Sequence, residues 1–245
     1  MKRFLKLFYI EQKLGFRAGD VLLFGIGMPV GILILIAMIA GGKATAEGYT
    51  YLDSAFASLI AVGICACSFM GIPLTLADYR DKKILKHFWT TPCSPAWILG
   101  AVVCCGITTA MLSAIAVSVT AVAAFGYRMQ GNVLLFIGSW ILTLISMLSI
   151  GMVLASLCRT VKSANAVTSI VYFPMLFLSG ATIPFEIFPE GLQKVASVLP
   201  LTQGIKLMKA ASMGTPVESV MGIIILLLGI TVVSCIISVK TFRWA

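Results

Sequence analysis

The chain has 245 residues, 60% of them hydrophobic and 11% charged, with a mean hydropathy of +1.05. A soluble domain carries about 45–50% apolar and about 25% charged residues, so a soluble fold is excluded. The 18 Lys and Arg against 9 Asp and Glu leave a net charge of +9, which the order of the chain turns into a signal of membrane topology rather than of nucleic-acid binding.

Residues 1–20 read as an amphipathic helix lying in the membrane interface. At 100° per residue Lys2, Lys6, Lys13 and Arg17 fall in one arc, and Phe4, Leu5, Leu7, Phe8, Ile10, Leu14 and Phe16 cover much of the rest. Six runs without Asp, Glu, Lys or Arg follow, and a bilayer core needs about 20 such residues per helix. They place spans at 21–42, 54–77, 96–125, 132–157, 163–185 and 219–239; the third starts at 96 because Pro92 and Pro95 break the longer run there. The chain is thus predicted to be a single all-α membrane domain, 1–245. Ala44-Thr45-Ala46 imitates a signal-peptide cleavage site, but the apolar run before it is too long for a cleaved leader.

Basic residues are retained on the cytoplasmic side. With the N-terminus inside, the inner segments hold Lys2, Arg3, Lys6, Lys13, Arg17, Arg80, Lys82, Lys83, Lys86, Arg159, Lys162, Lys240 and Arg243, and the outer ones only Lys43, Arg128, Lys194, Lys206 and Lys209. Both termini are expected in the cytoplasm of a cell whose plasma (inner) membrane the chain crosses.

Within the spans, the first holds Pro29 and the Gly27 and Gly31 spacing that permits close helix approach, and Pro73 and Pro174 are kinks that neighbouring helices can satisfy. The loop from Asp78 to Pro95 is itself patterned. Ile84, Leu85, Phe88 and Trp89 share one helical face, with Lys82, Lys83, Lys86 and His87 turned away, so lipid or a cytoplasmic protein must cover that face. The segment 186–215 is too apolar for a loop and too short for a span; Pro184, Pro189 and Pro200 punctuate it into a re-entrant helical hairpin entering from outside.

The spans lack ionisable groups of the kind that mark proton relays and ion sites, which disfavours ion coupling. Neither a Gly-x-x-x-x-Gly-Lys-[Ser/Thr] phosphate loop nor Gly-x-Ser-x-Gly nor His-Glu-x-x-His occurs, so the chain is not expected to be an enzyme and any ATP is bound elsewhere. The seven Cys have no spacing that completes a metal site, and none is expected in an outer loop where a disulfide would form.

Two stretches carry a family resemblance. Tyr79-Arg80-Asp81-Lys82-Lys83-Ile84-Leu85-Lys86-His87-Phe88-Trp89-Thr90-Thr91-Pro92-Cys93-Ser94-Pro95, and Leu178-Ser179-Gly180-Ala181-Thr182-Ile183-Pro184-Phe185-Glu186 with Leu199-Pro200-Leu201-Thr202, resemble the signatures of type-2 ATP-binding-cassette (ABC) transporter permeases, nearest to drug and antimicrobial-peptide exporters. Lys83 stands where that pattern usually has glycine, and Leu199 where it commonly has asparagine. The resemblance implies a permease paired with a second copy or paralogue and docked on cytoplasmic ABC ATPase subunits, which bind ATP and Mg while this chain holds no cofactor. It implies an ATPase-coupling role for Arg80, Asp81, Ile84, Leu85, Phe88 and Trp89, and an outer gate in the hairpin with Pro184, Glu186, Pro189 and Pro200. An uncharged pathway along Phe69, Met70, Phe173, Met175 and Phe177 is expected to suit an amphiphilic substrate. Export of a lipid-linked polysaccharide, or a membrane scaffold or immunity role without transport, are the alternatives.

Overall fold

A computed structural model describes residues 2–19, 22–40, 51–84, 95–158, 160–180, 188–214 and 220–241, and among these there is no strand. Nine helices are described. Helix α1 (Lys2–Ala18) precedes α2, which begins with a π-helical turn at Leu23–Gly27 and continues as Met28–Ala40. Helix α3 joins Tyr51–Ala66, a second π turn at Cys67–Gly71, and Ile72–Asp81. Then come α4 (Pro95–Phe125), α5 (Val133–Leu157), α6 (Val161–Leu178), α7 (Glu190–Val198), α8 (Pro200–Met213) and α9 (Met221–Thr241).

Five of these helices are long and apolar enough to cross a membrane: Leu52–Asp81, Ala96–Phe125, Val133–Leu157, Val161–Leu178 and Met221–Thr241. The sixth expected span falls on the shorter apolar helix Leu23–Ile39. The boundaries shift where capping and pairing, rather than loss of hydrophobicity, end a helix. Helix α3 outruns the predicted 54–77 because side chains at its end find partners in other helices. Helix α5 starts on Asn132, whose Oδ1 accepts from the Leu134 N–H at 2.8 Å. Helix α6 starts before the predicted 163 because Thr160 and Ser163 form a capping box, and stops at Leu178, ahead of the predicted 185, where Gly180 takes φ +80°.

Helix α3 is the axis of the bundle, packed against α2, α4, α5, α6 and α8. Of its most apolar window 89% is buried, against 17% for α9, which packs chiefly on α5. Small residues set the closest approaches. A Cβ on Gly151 of α5 would lie 2.2 Å from the Ser68 carbonyl oxygen in the π turn of α3, and one on Gly204 of α8 would lie 2.4 Å from Thr143 Cγ2 of α5. Among the described residues neither glycine of the expected Gly27 and Gly31 pair receives a neighbouring helix: a Cβ at Gly31 meets nothing within 4 Å, and one at Gly27 meets only Leu22 and Leu23 of its own helix.

Pro29, Pro73 and Pro174 lie within helices, and the sequence did not disclose one detail: each π turn ends two residues before a proline, Pro29 in α2 and Pro73 in α3. Pro29 has no N–H to give the Gly25 carbonyl; Ser113 of α4 donates its hydroxyl to that oxygen instead.

Candidate functional site

The last turn of α3 brings together the first residues of the expected coupling segment. Tyr79, Arg80 and Asp81 are consecutive, so their side chains leave the helix about 100° apart and reach three different neighbours. The Tyr79 hydroxyl donates to the Glu11 carboxylate of α1, 2.6 Å from each oxygen. Arg80 Nη1 donates to the carbonyls of Ala155 and Cys158, the latter at 2.7 Å. These belong to the C-terminal end of α5, where carbonyls lack helical partners and the helix dipole is negative. Asp81 Oδ2 accepts from the Val161 N–H at 2.9 Å, at the positive N-terminus of α6. A cation thus sits on the end of one helix and an anion on the start of the next.

Helix α1 is finished differently from the sequence reading. Leu5, Tyr9, Ile10, Leu14 and Phe16 are exposed, whereas Glu11 is only 8% exposed. The face turned to the bundle is polar at its centre. Beside Glu11, Gln12 donates to the Thr108 hydroxyl and accepts from Cys105 Sγ at 2.9 Å, and Phe4 packs over Gly100 of α4. Burial raises the Glu11 carboxyl above its ordinary value, and the hydrogen bond from Tyr79 works in the opposite direction. The sequence missed Glu11 and Tyr79 as partners; the signal was present in a lone acid among the basic and apolar residues of α1.

Beyond Asp81 the chain turns. Lys82 pairs with Asp78 at 2.8 Å in an exposed ion pair, and Lys83 adopts φ 55°. That is the left-handed region, which explains why glycine is usual at this position in the family pattern. Ile84 is half-buried against the core. Leu85, Phe88 and Trp89 lie outside the described residues.

At the opposite end of α3, α7 and α8 form a hairpin. Pro189 stands at the N-cap of α7 and Pro200 is the first residue of α8, so both prolines start helices where a missing N–H costs nothing. Leu199 is the N-cap of α8 and makes no side-chain cap, which identifies the polar contact that asparagine would supply there. Helix α8 buries Leu201, Thr202, Gly204, Ile205, Leu207, Met208, Ala211 and Ser212. It runs along the first half of α5. The Gly131 N–H donates to the Ser212 carbonyl at 2.8 Å, and Gly204 meets Thr143 about 15 Å further along α5. Phe56 stacks on Tyr127 at 4.4 Å and on Phe136 at 5.7 Å, and Lys209 Nζ donates to Ser54 Oγ at 2.7 Å. Burial first, and then the Asp53 charge, push the Tyr127 hydroxyl up to about 12 against a lowering hydrogen bond with Ser212. Pro184 and Glu186 lie outside the described residues.

The five expected pathway residues are not brought to one surface. Phe69 is fully buried, Met175 is 7% exposed and Met70 is half-buried, all packed in the core. Phe173 and Phe177 instead stand on the exposed face of α6, their rings 6.5 Å apart and 17° from parallel. Among the described residues no group of His, Cys, Asp or Glu could hold a metal ion.

Residues 3–213 match the ABC-2 type transporter family, and the chain belongs to it. It is therefore a multi-pass membrane permease component of a transporter, of a family that works with ATPase subunits. Nodulation protein J of Rhizobium leguminosarum bv. viciae is 25% identical over 201 residues, 82% of this chain and 74% of that protein. Nodulation protein J of Rhizobium meliloti (strain 1021) is 26% identical over 201 residues, 82% and 73% of the two chains. Inner membrane transport permease YhhJ of Escherichia coli (strain K12) is 24% identical over 163 residues, 65% of this chain and 44% of that one.

Proposed function

We propose that the chain is the permease of an ATP-driven exporter that moves an amphiphilic molecule, such as a drug, an antimicrobial peptide or a lipid-like compound, out of the cytoplasm or inner leaflet. In this reading it crosses the plasma (inner) membrane six times, with α2 as the first crossing and both termini cytoplasmic, and pairs with a second copy or paralogue. Separate ABC ATPase subunits bind ATP and Mg and seat Ile84, Leu85, Phe88 and Trp89, while Arg80 and Asp81 stand behind them at the end of α3. The hairpin of α7 and α8 enters to about half the length of α5 from the outside and closes that end, with Pro184, Glu186, Pro189 and Pro200 assigned to this outer gate.

The observation that carries this reading is the contrast of the two ends of α3 within a chain of this family. One end fixes helix termini with charged side chains beside the segment expected to meet the ATPase. The other is filled chiefly by apolar and aromatic packing, with Lys209 held on Ser54 beside it. An uncharged interior favours an amphiphile over a small ion.

The test is purification with the cognate ATPase and reconstitution into vesicles. ATP-dependent movement of an amphiphilic fluorophore is expected, and Phe88→Ala with Trp89→Ala should release the ATPase. A double mutant that keeps the complex and its substrate-stimulated hydrolysis would sink the coupling assignment. Glycan export is a second reading that one observation favours, because the near-parallel exposed rings of Phe173 and Phe177 offer flat faces to sugar rings. Stimulation of hydrolysis by a lipid-linked glycan and not by amphiphiles would decide for it.

A further inference from the structure

We infer that the last turn of α3 is a transmission node, in which Tyr79, Arg80 and Asp81 bind α1, α5 and α6 into one unit, so that a push on the segment from Ile84 onward arrives at the turn between α5 and α6. The inference rests on the ATPase-coupled reading above and adds where the motion goes.

The three contacts have features that a mere surface cluster would lack. Each of the three neighbouring helices is held by a different residue of the same helical turn: α1 through Glu11, α5 through the Ala155 and Cys158 carbonyls, and α6 through the Val161 N–H. Two of the three grip main-chain atoms at helix termini, where displacement of the side chain moves the whole helix end rather than one rotamer. The charges match the dipoles they face, the guanidinium on the negative end of α5 and the carboxylate on the positive start of α6. Only two residues, 159 and 160, separate Cys158 from Val161, so Arg80 and Asp81 grasp the α5–α6 turn from both sides. Helix α1 is also tied to α4, since Gln12 holds Thr108 and Cys105 there. The segment that would meet the ATPase begins three residues after Asp81, beyond the left-handed turn at Lys83. Interfaces of packed helices shift as units rather than deform continuously, so a node of this kind carries a displacement to every helix it holds.

Asp81 and Tyr79 are positioning residues in this scheme, and conservative variants separate a cap from a charge. Asp81→Asn keeps an oxygen that can accept from the Val161 N–H, whereas Asp81→Ala removes it; Glu11→Gln keeps an acceptor for Tyr79, whereas Tyr79→Phe removes the donor. The full permease is purified with its ATPase, and substrate moved per ATP hydrolysed is measured in vesicles. Asp81→Ala and Tyr79→Phe are expected to lower that ratio by at least about fivefold, the effect of a lost cap or buried hydrogen bond, while Asp81→Asn and Glu11→Gln stay near wild type. A smaller loss in the first two, or an Asp81→Asn as impaired as Asp81→Ala, overturns the node. Independently of any destabilised variant, spin labels at Lys13 of α1 and Lys162 of α6 should keep their separation to within about 2 Å between nucleotide-free and ATP-bound states. A larger change overturns the rigid unit. A wild-type complex that hydrolyses ATP without moving substrate overturns the transport reading itself, which equal ratios across the variants would not.

Discussion

The two ends of α3 solve the same problem, ending helices inside or beside a membrane, by different chemistry. At the Tyr79–Asp81 end, side chains from one helix satisfy the orphan main-chain groups of two others, and a buried acid on α1 completes the set. At the α7–α8 end, prolines begin the helices, and small residues and stacked aromatics fill the space. Electrostatic capping ties helix ends together while leaving their flanks free to move; steric interlock fixes flanks against one another. The first arrangement suits an end that must transmit a displacement, and the second an end that must seal.

The contrast can be broken most severely at its steric end. Gly204→Val places a branched side chain where even a Cβ would meet Thr143 at 2.4 Å, and a loss of about 3 kcal/mol or more is expected, read as a fall in thermal stability in detergent. Arg80→Met should cost about 1–3 kcal/mol, because the carbonyls at the end of α5 lose their donor. Proteolysis within the α5–α6 turn should accelerate in that variant while α8 stays protected. Next comes pH. The Glu11 carboxyl is raised from its ordinary 4.5, so the docked α1 binds the proton more tightly than the free helix does. Its docking is therefore fullest below that ordinary value and weakens as pH rises through the raised one. Hydrogen exchange of α1 should follow this slope, and Glu11→Gln should flatten it. The smallest effect is expected at Lys83→Gly, where relief of φ 55° stabilises by at most about 1 kcal/mol, offset in part by the greater freedom of glycine in the unfolded chain; the thermal midpoint would record it.

Much of this architecture was legible from charge alone. Runs free of ionisable residues located the helices long and apolar enough to cross, because the cost of a buried charge is large and local. The two departures from the family pattern were legible as well, and the structure gives them meaning: Lys83 occupies a left-handed residue and Leu199 an N-cap. The partners of Arg80 and Asp81 were not legible, because they are main-chain atoms 75 to 80 residues away and carry no side-chain signature. Nor was the division of Phe69 and Met175 from Phe173 and Phe177. A span that is apolar on every side has no stripe by which its sequence reveals which face meets a neighbour. The exposed apolar face of α1 was the converse case. Its pattern correctly showed an amphipathic helix but hid the polar patch that docks it, since Glu11 and Gln12 resemble surface residues until Tyr79 and Cys105 are placed beside them.

The two π turns have a consequence for how such a chain can change over generations. A π turn holds one residue more than an α turn of the same helix. Removing one residue from Leu23–Gly27 or Cys67–Gly71 therefore restores ordinary α geometry and leaves every side chain on either flank in its former orientation, whereas the same deletion elsewhere in a span would rotate half the helix by about 100°. Single-residue length variation inside the membrane should gather at these two places, which makes them the joints at which lineages of this fold can lengthen or shorten without repacking the bundle.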